Sequence, residues 1–234
     1  FTRCDTSSRV RAILAALPCR AVVVGLAVAL LSSTAAAEPK RGGTLHDVFG
    51  SDPPTLDPAQ ATDTTSSAVI RQVFDALLEL DERLQPIPAL ARSSRVSPDR
   101  RVYTFVLRPG VKFHNGREMR AADVKYSFER AAKGKRPWVF EKIAGAPQLI
   151  KGAASEITGI RVVDERTVEI RLEKPFAPFL HLMAYDAAAI GPREEVEKRG
   201  PAFASQPVGT GAFRFVSWRR DDQVVLDGWD YNNH

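Results

Sequence analysis

The period of the hydrophobic pattern changes along the chain, and each change marks an element. From Val102 to Leu107 the side chains alternate, with Val102, Thr104 and Val106 on one face and Tyr103, Phe105 and Leu107 on the other. A period of two in β-branched and aromatic residues predicts a strand. Arg108-Pro109-Gly110 breaks it, Val111 to Phe113 resumes it, and His114-Asn115-Gly116 turns the chain. Val124, Phe128 and Ala131 then recur at helical spacing, with Glu129 and Lys133 as an i,i+4 pair on the outer side.

The same reading extends in both directions. Thr44 to Phe49 predicts a strand, and the proline-rich stretch Ser51 to Pro58 is a loop that cannot be helix. Ser66 or Ser67 can cap a helix running to about Leu78, with Val69, Ile70, Val73, Phe74 and Leu77 on one face. A loop at the carboxyl end of a strand, ahead of a helix, is where open α/β sheets usually bind ligands. Leu80 to Leu84 and Ser97-Pro98-Asp99-Arg100 predict turns. Gly159 to Val163 and Thr167 to Leu172 predict a hairpin around Asp164-Glu165-Arg166. Beyond it come a short helix from Phe176 to Met183, a short strand from Ala187 to Ile190 and a helix from Pro192 to Lys198. Ala212 to Trp218 and Val224 to Leu226 predict strands on either side of a turn at Asp221-Asp222.

The first residues follow a different logic. Arg3, Arg9, Arg11 and Arg20 precede the apolar run Ala21 to Leu31, and small residues from Ser32 to Ala37 close it, so residues 1–37 predict a signal peptide cut after Ala37. The run is too short for a spanning helix, which needs ~20 residues. Both cysteines, Cys4 and Cys19, lie in this segment, so the exported remainder must stand on its hydrophobic core alone. The formal charge of +5 shrinks towards neutrality once the leader is removed, which leaves no nucleic-acid footprint. Lys133-Gly134-Lys135-Arg136 reads as a solvated loop.

Catalytic chemistry has little to build on. There is no G-x-S-x-G elbow, and His46, His114, His181 and His234 are far apart without metal-ligand spacing. Asp52 and Asp57 are conceivable as a paired-carboxylate site for glycoside cleavage, but three nearby prolines favour a role as turn formers. Gly209-Thr210-Gly211 has the look of a phosphate loop, yet a strand follows where such loops need a helix. Its glycines suit a sharp bend, or a close approach to a ligand or hinge.

The stretches GGTLHDVFGSDPPTLDP, IRQVFDALLELDERLQPIPALA, VYTFVLRPGVKFHNG, AADVKYSFER, GIRVVDERTVEIRLEKPFAPFL and PVGTGAFRFVSW occur here in one order. In order and spacing they resemble the peptide/nickel-type extracytoplasmic solute-binding proteins, family 5, of bacterial ABC importers, over nearly the whole chain after the leader. Ser94 stands where the family commonly has Trp, Arg100 where a turn Gly is usual, Arg120 where Thr starts the helix, and Asn232 where Trp is usual. The resemblance implies an α/β fold, the first lobe of a type II periplasmic binding protein with an inserted α+β subdomain, the second lobe falling outside this chain. It implies first-lobe core at 38–78 and 167–234 and the inserted subdomain at 79–166. It further implies a periplasmic, monomeric, non-enzymatic protein without cofactor or metal, which binds a peptide or similar small solute. The solute would pass to a membrane permease driven by a cytoplasmic ATPase. Ligand-facing positions carried over are Thr62, Asp63, Thr64, Trp138, Gly209, Thr210 and Gly211, though Asp63 also suits a helix cap and Trp138 also suits a core. A secreted hydrolase using Asp52 and Asp57 and a non-binding remnant are the alternatives.

Overall fold

The computed structural model describes residues 42–229; the expected leader and the final residues, including Asn232 and His234, lie outside them. The described residues divide into a short stretch, 42–47, without helix or strand, and one unit, 48–229, that holds every element below. The strand expected from Thr44 to Phe49 does not form. No ladder among the described residues includes this segment, and extended backbone outside a ladder is not a strand.

The centre of the unit is a four-stranded antiparallel sheet. Its strands are β3 (Ala91–Val96), β4 (Val102–Leu107), β5 (Ile160–Asp164) and β6 (Thr167–Arg171), in the spatial order β3-β4-β6-β5. The alternation seen in the sequence is the alternation of burial: Tyr103, Phe105 and Leu107 are buried, while Val102, Thr104 and Val106 are half-buried. Across the ladder, Val168 and Ile170 continue the buried face. Helix α2 (Ala121–Ala132) packs over β5 and β6 and buries Val124, Phe128 and Ala131. The Phe128 ring meets Phe140 with centroids 5.2 Å apart. Phe105, Phe113, Phe128 and Phe140 have no exposed surface, and burial of each contributes about 1.5–3 kcal/mol. This core stands without a disulfide. The edge strand β3 keeps only Ala91 buried and shows Arg92, Ser93, Ser94 and Arg95 to solvent, a polar edge that discourages further pairing. The boundary expected between 166 and 167 runs through the β5–β6 turn, and β6 hydrogen-bonds to β4 as well as to β5.

Other elements differ from expectation for local reasons. Val111 to Phe113 is not a strand but a single bridge, Lys112 to Glu118, tightened by Phe113 N–H donating to the Arg117 carbonyl. The turn at Leu80 to Leu84 is flanked by two short strands, β1 (Leu78–Leu80) and β2 (Pro86–Pro88), which pair despite the prolines. The helix expected from Phe176 to Met183 shrinks to Phe179–Leu182, the prolines at 175 and 178 holding off its start. Ala187 to Ile190 is no strand. A 3₁₀ turn, Asp186–Ala188, leads into extended backbone whose Ile190 N–H donates to the Asp75 carbonyl. Further elements are the short helix Ala146–Ile150, the helix Arg193–Arg199, the 3₁₀ turn Gly200–Ala204 and a separate hairpin of β7 (Phe213–Arg219) and β8 (Gln223–Gly228).

Candidate functional site

The first helix, α1 (Thr64–Val73), orders the candidate residues into two groups, one at each end. It begins earlier than Ser66 because Asp63 is its cap: the backbone there is extended, and Oδ1 accepts the Ser66 N–H at 2.7 Å. Partial burial opposes ionisation of this carboxyl, but the hydrogen bonds from Ser66, from Thr65 and from its own backbone together outweigh it and hold Asp63 below the usual carboxylate range. Thr62 and Thr64, on either side, are exposed. The loop thus offers two exposed threonine side chains, with its one charge already engaged.

A buried polar network runs from this loop into the protein. Ser67 Oγ lies 2.9 Å from the Asp63 carbonyl oxygen and 2.5 Å from Asp186 Oδ2, so its single proton serves one of two acceptors at a time. Asp186 receives both arms of the Arg136 guanidinium, at 3.0 and 2.9 Å. Only 9% of the Arg136 side chain and 1% of Asp186 is exposed. The guanidinium lies 5.0 Å from the centroid of the Tyr185 ring, which also meets Trp138, 5.6 Å away centroid to centroid. Trp138 itself is 47% exposed, an unusual fraction for the largest apolar side chain. The structure therefore links Trp138 to residues 62–64 through Tyr185, Arg136, Asp186 and Ser67. Sequence reasoning missed those four. Arg136 looked like the last charge of a solvated run, and nothing local ties it to an aspartate fifty positions on. The one available signal was a basic residue directly ahead of Pro137-Trp138.

Residues 209–211 lie at the other end of α1, roughly 15 Å away by helix geometry. Gly211 N–H donates to the Val73 carbonyl at 2.9 Å, and Thr210 Oγ1 donates to Asp75 Oδ2 at 2.8 Å. Thr210 has no exposed surface, and both glycines are buried. A Cβ on Gly209 would sit 2.1 Å from the Val73 carbonyl oxygen, and one on Gly211 2.5 Å from that of Gln72. This close approach is why glycine is needed, and the Gly211 N–H takes the carbonyl of Val73, where α1 ends rather than at Leu78. The loop is a clasp on the helix, and its side chain faces inward.

The carboxylates at 52 and 57 are both committed. Asp57, 3% exposed, takes Arg130 bidentately at 2.7 and 2.5 Å and accepts the Ala59 N–H. Asp52 accepts from Trp218 Nε1 and from Arg220 of the β7–β8 hairpin. Among the described residues no cluster of His, Cys, Asp and Glu has the arrangement to hold a metal ion, and no helix is long and apolar enough to cross a membrane.

Comparison with known proteins extends this picture. Residues 85–231 match the family model described as bacterial extracellular solute-binding proteins, family 5 Middle. The glutathione-binding protein GsiB of Salmonella typhi is 34% identical over 204 residues, which cover 86% of this chain and 37% of the relative. GsiB of Escherichia coli is 33% identical over 209 residues, covering 88% and 37%. Among solved structures, the unliganded open form of the periplasmic murein tripeptide binding protein MppA superposes with a TM-score of 0.73 at 28% identity, covering 77% of this chain and 36% of that one. The substrate-binding domain of an oligopeptide ABC transporter from Bacillus anthracis gives 0.75 at 28% identity, covering 79% and 37%. The chain spans a little over a third of the length of these relatives.

Proposed function

The chain belongs to the bacterial extracellular solute-binding proteins, family 5, and from that membership we propose that it works as the first-lobe part of the solute-capturing component of an ABC importer. In this reading a peptide or a similarly small solute such as glutathione is held between this lobe and a second one by hinge closure, then handed to a membrane permease driven by a cytoplasmic ATPase. The protein acts in the periplasm as a monomer after removal of residues 1–37, and it is a binder without cofactor rather than an enzyme. The inserted α+β subdomain runs from β1 to the end of β6, residues 78–171, so that the sheet is kept whole. The flanking segments belong to the lobe core.

The observation that carries this reading is the joined surface of a loop whose one charge is taken up as a helix cap, with exposed Thr62 and Thr64, and the half-exposed Trp138. Exposed hydroxyls suit an extended peptide, which is gripped through its main chain while an aromatic face takes an apolar side chain. Thr62, Thr64 and Trp138 are the proposed contacts. Asp63 contributes by capping α1, and residues 209–211 contribute by anchoring its other end.

Calorimetry tests it. Residues 38–234 alone should bind tripeptides and glutathione weakly or not at all. A chimera in which this segment replaces the matching part of GsiB should bind one of them, and should lose affinity on Thr64→Ala and Trp138→Ala. Tight binding by the segment alone, or a folded chimera deaf to all solutes, would refute the proposal.

A further inference from the structure

The Arg136–Asp186 pair is an expensive way to fill a core. Desolvating two charges offsets most of what their attraction returns, and apolar replacements of similar volume are often neutral or stabilising. Here the cost is raised further, because Arg136 Nε is buried without a protein partner. Stability alone does not account for the pair. Its connections suggest another role. Arg136 directly precedes the 3₁₀ turn Pro137–Val139 that carries Trp138. Asp186 directly follows Tyr185, on which Trp138 rests. Ser67 ties the same carboxylate to the first turn of α1 and to the Asp63 carbonyl. Three segments distant in sequence thus meet at one planar, two-armed contact, and a guanidinium fork fixes orientation in a way that a single ammonium does not.

We propose that Arg136 and Asp186 are positioning residues for solute recognition, locking the Trp138–Tyr185 shelf and loop 62–64 into one surface through Ser67. The proposal rests on the reading above that both parts face the solute, but the coupling between them is testable without any solute. The pair transmits position from one side to the other. Disturbing the guanidinium must therefore be felt at the start of α1, whereas disturbing Ser67 must be felt there alone.

The test is amide exchange of Ser66 and Ser67, together with the indole N–H resonance of Trp138, assigned with Trp138→Phe, in the full chain. Ser67→Ala should speed exchange at residue 66 roughly tenfold and leave the Trp138 resonance in place. Arg136→Lys keeps the charge but not the fork. It should shift the Trp138 resonance and also speed residues 66 and 67, while amides of β4 and β6 stay at wild-type rates. The apolar swap Arg136→Met with Asp186→Leu should do the same more strongly at a similar melting temperature; should it fail to fold, Arg136→Lys decides. The proposal is overturned if the β4 and β6 amides speed up in step in Arg136→Lys, which marks a merely structural pair, or if Trp138 and residues 66–67 do not respond together to that substitution. A GsiB chimera that binds no solute would instead overturn the functional reading, leaving these signals to decide the coupling.

Discussion

His114 and Gly211 are joined by a hydrogen bond of 2.9 Å in which the imidazole Nε2–H donates to the glycine carbonyl. The other ring nitrogen, Nδ1, accepts the Gly209 N–H at 3.3 Å, so the clasp on α1 requires the neutral ring. Burial pushes the His114 pKa down, the Gly211 carbonyl resists that shift, and the nearby Arg214 charge adds to it. In the unfolded chain the ring titrates near about 6.5. Between that value and the lower folded one, the unfolded state binds more protons, so stability rises with pH. The contribution is complete above about pH 6.5 and is lost as the pH falls below it. Melting temperature should therefore drop between about pH 7 and 5.5, before most carboxylates titrate. His114→Gln, which keeps one donor and one acceptor, should melt lower at neutral pH but show a flatter profile. An unchanged slope in that variant would remove His114 as the cause.

The clasp also predicts a sharp contrast among glycines. Gly209→Ala and Gly211→Ala both drive a methyl into backbone carbonyls of α1, which cannot turn aside as a side chain would. Each should cost about 2–4 kcal/mol. Gly228→Ala, in β8, meets nothing within 4 Å and should be neutral or slightly stabilising. Urea unfolding of the three variants checks the ranking.

Arg100 carries a departure from the family that the structure makes physical. It closes the turn between β3 and β4 with φ of 54°, the left-handed region where a side chain is strained. Arg100→Gly should relieve that strain and, after the entropy that glycine adds to the unfolded chain, raise stability by about 0.5–1 kcal/mol. A fall in stability would mean that the arginine makes a compensating contact.

Asp57 separates a structural carboxylate from a catalytic one. Asp57→Asn turns one arm of the Arg130 fork against an amide N–H₂ in a buried place and should cost about 2–3 kcal/mol. Glycoside hydrolysis should be absent in the wild-type chain as well as in the variant. Turnover that disappears with the substitution while stability holds would revive the hydrolase alternative.

What the sequence revealed and what it hid have one physical division. Period-two and helical patterns mark faces that bury against something, and β4, β6 and α2 were legible for that reason. Partners far apart in sequence left no such trace. Arg136 and Asp186 are each unremarkable in their own windows, as are Asp57 and Arg130. The glycines at 209 and 211 did signal a close approach, but not that the approaching surface was the end of α1. Asp63 was legible as either cap or ligand, and only the distance to Ser66 N–H assigns it to the cap. Pro86 and Pro88 fit in β2 because that strand has only one neighbour, β1.

Trp138 gives the most direct test of the site. About half of its surface is already in water, and its ring contact among the described residues is Tyr185, so Trp138→Ala should change stability by less than about 1 kcal/mol. A tryptophan exposed in the free protein and covered by solute is the kind of side chain that carries binding energy, and its loss should weaken solute binding by the GsiB chimera roughly tenfold or more. Trp138→Phe should recover part of that, because the ring face survives at reduced area. Asp63→Asn provides the control: it keeps a cap on α1, removes only a charge that the cap already engages, and should leave affinity near the unmodified level. Titrations of the three variants, alongside their melting curves, distinguish the two kinds of residue. A large loss of stability in Trp138→Ala would return the side chain to the core. Equal affinity in all three would move the solute away from this surface.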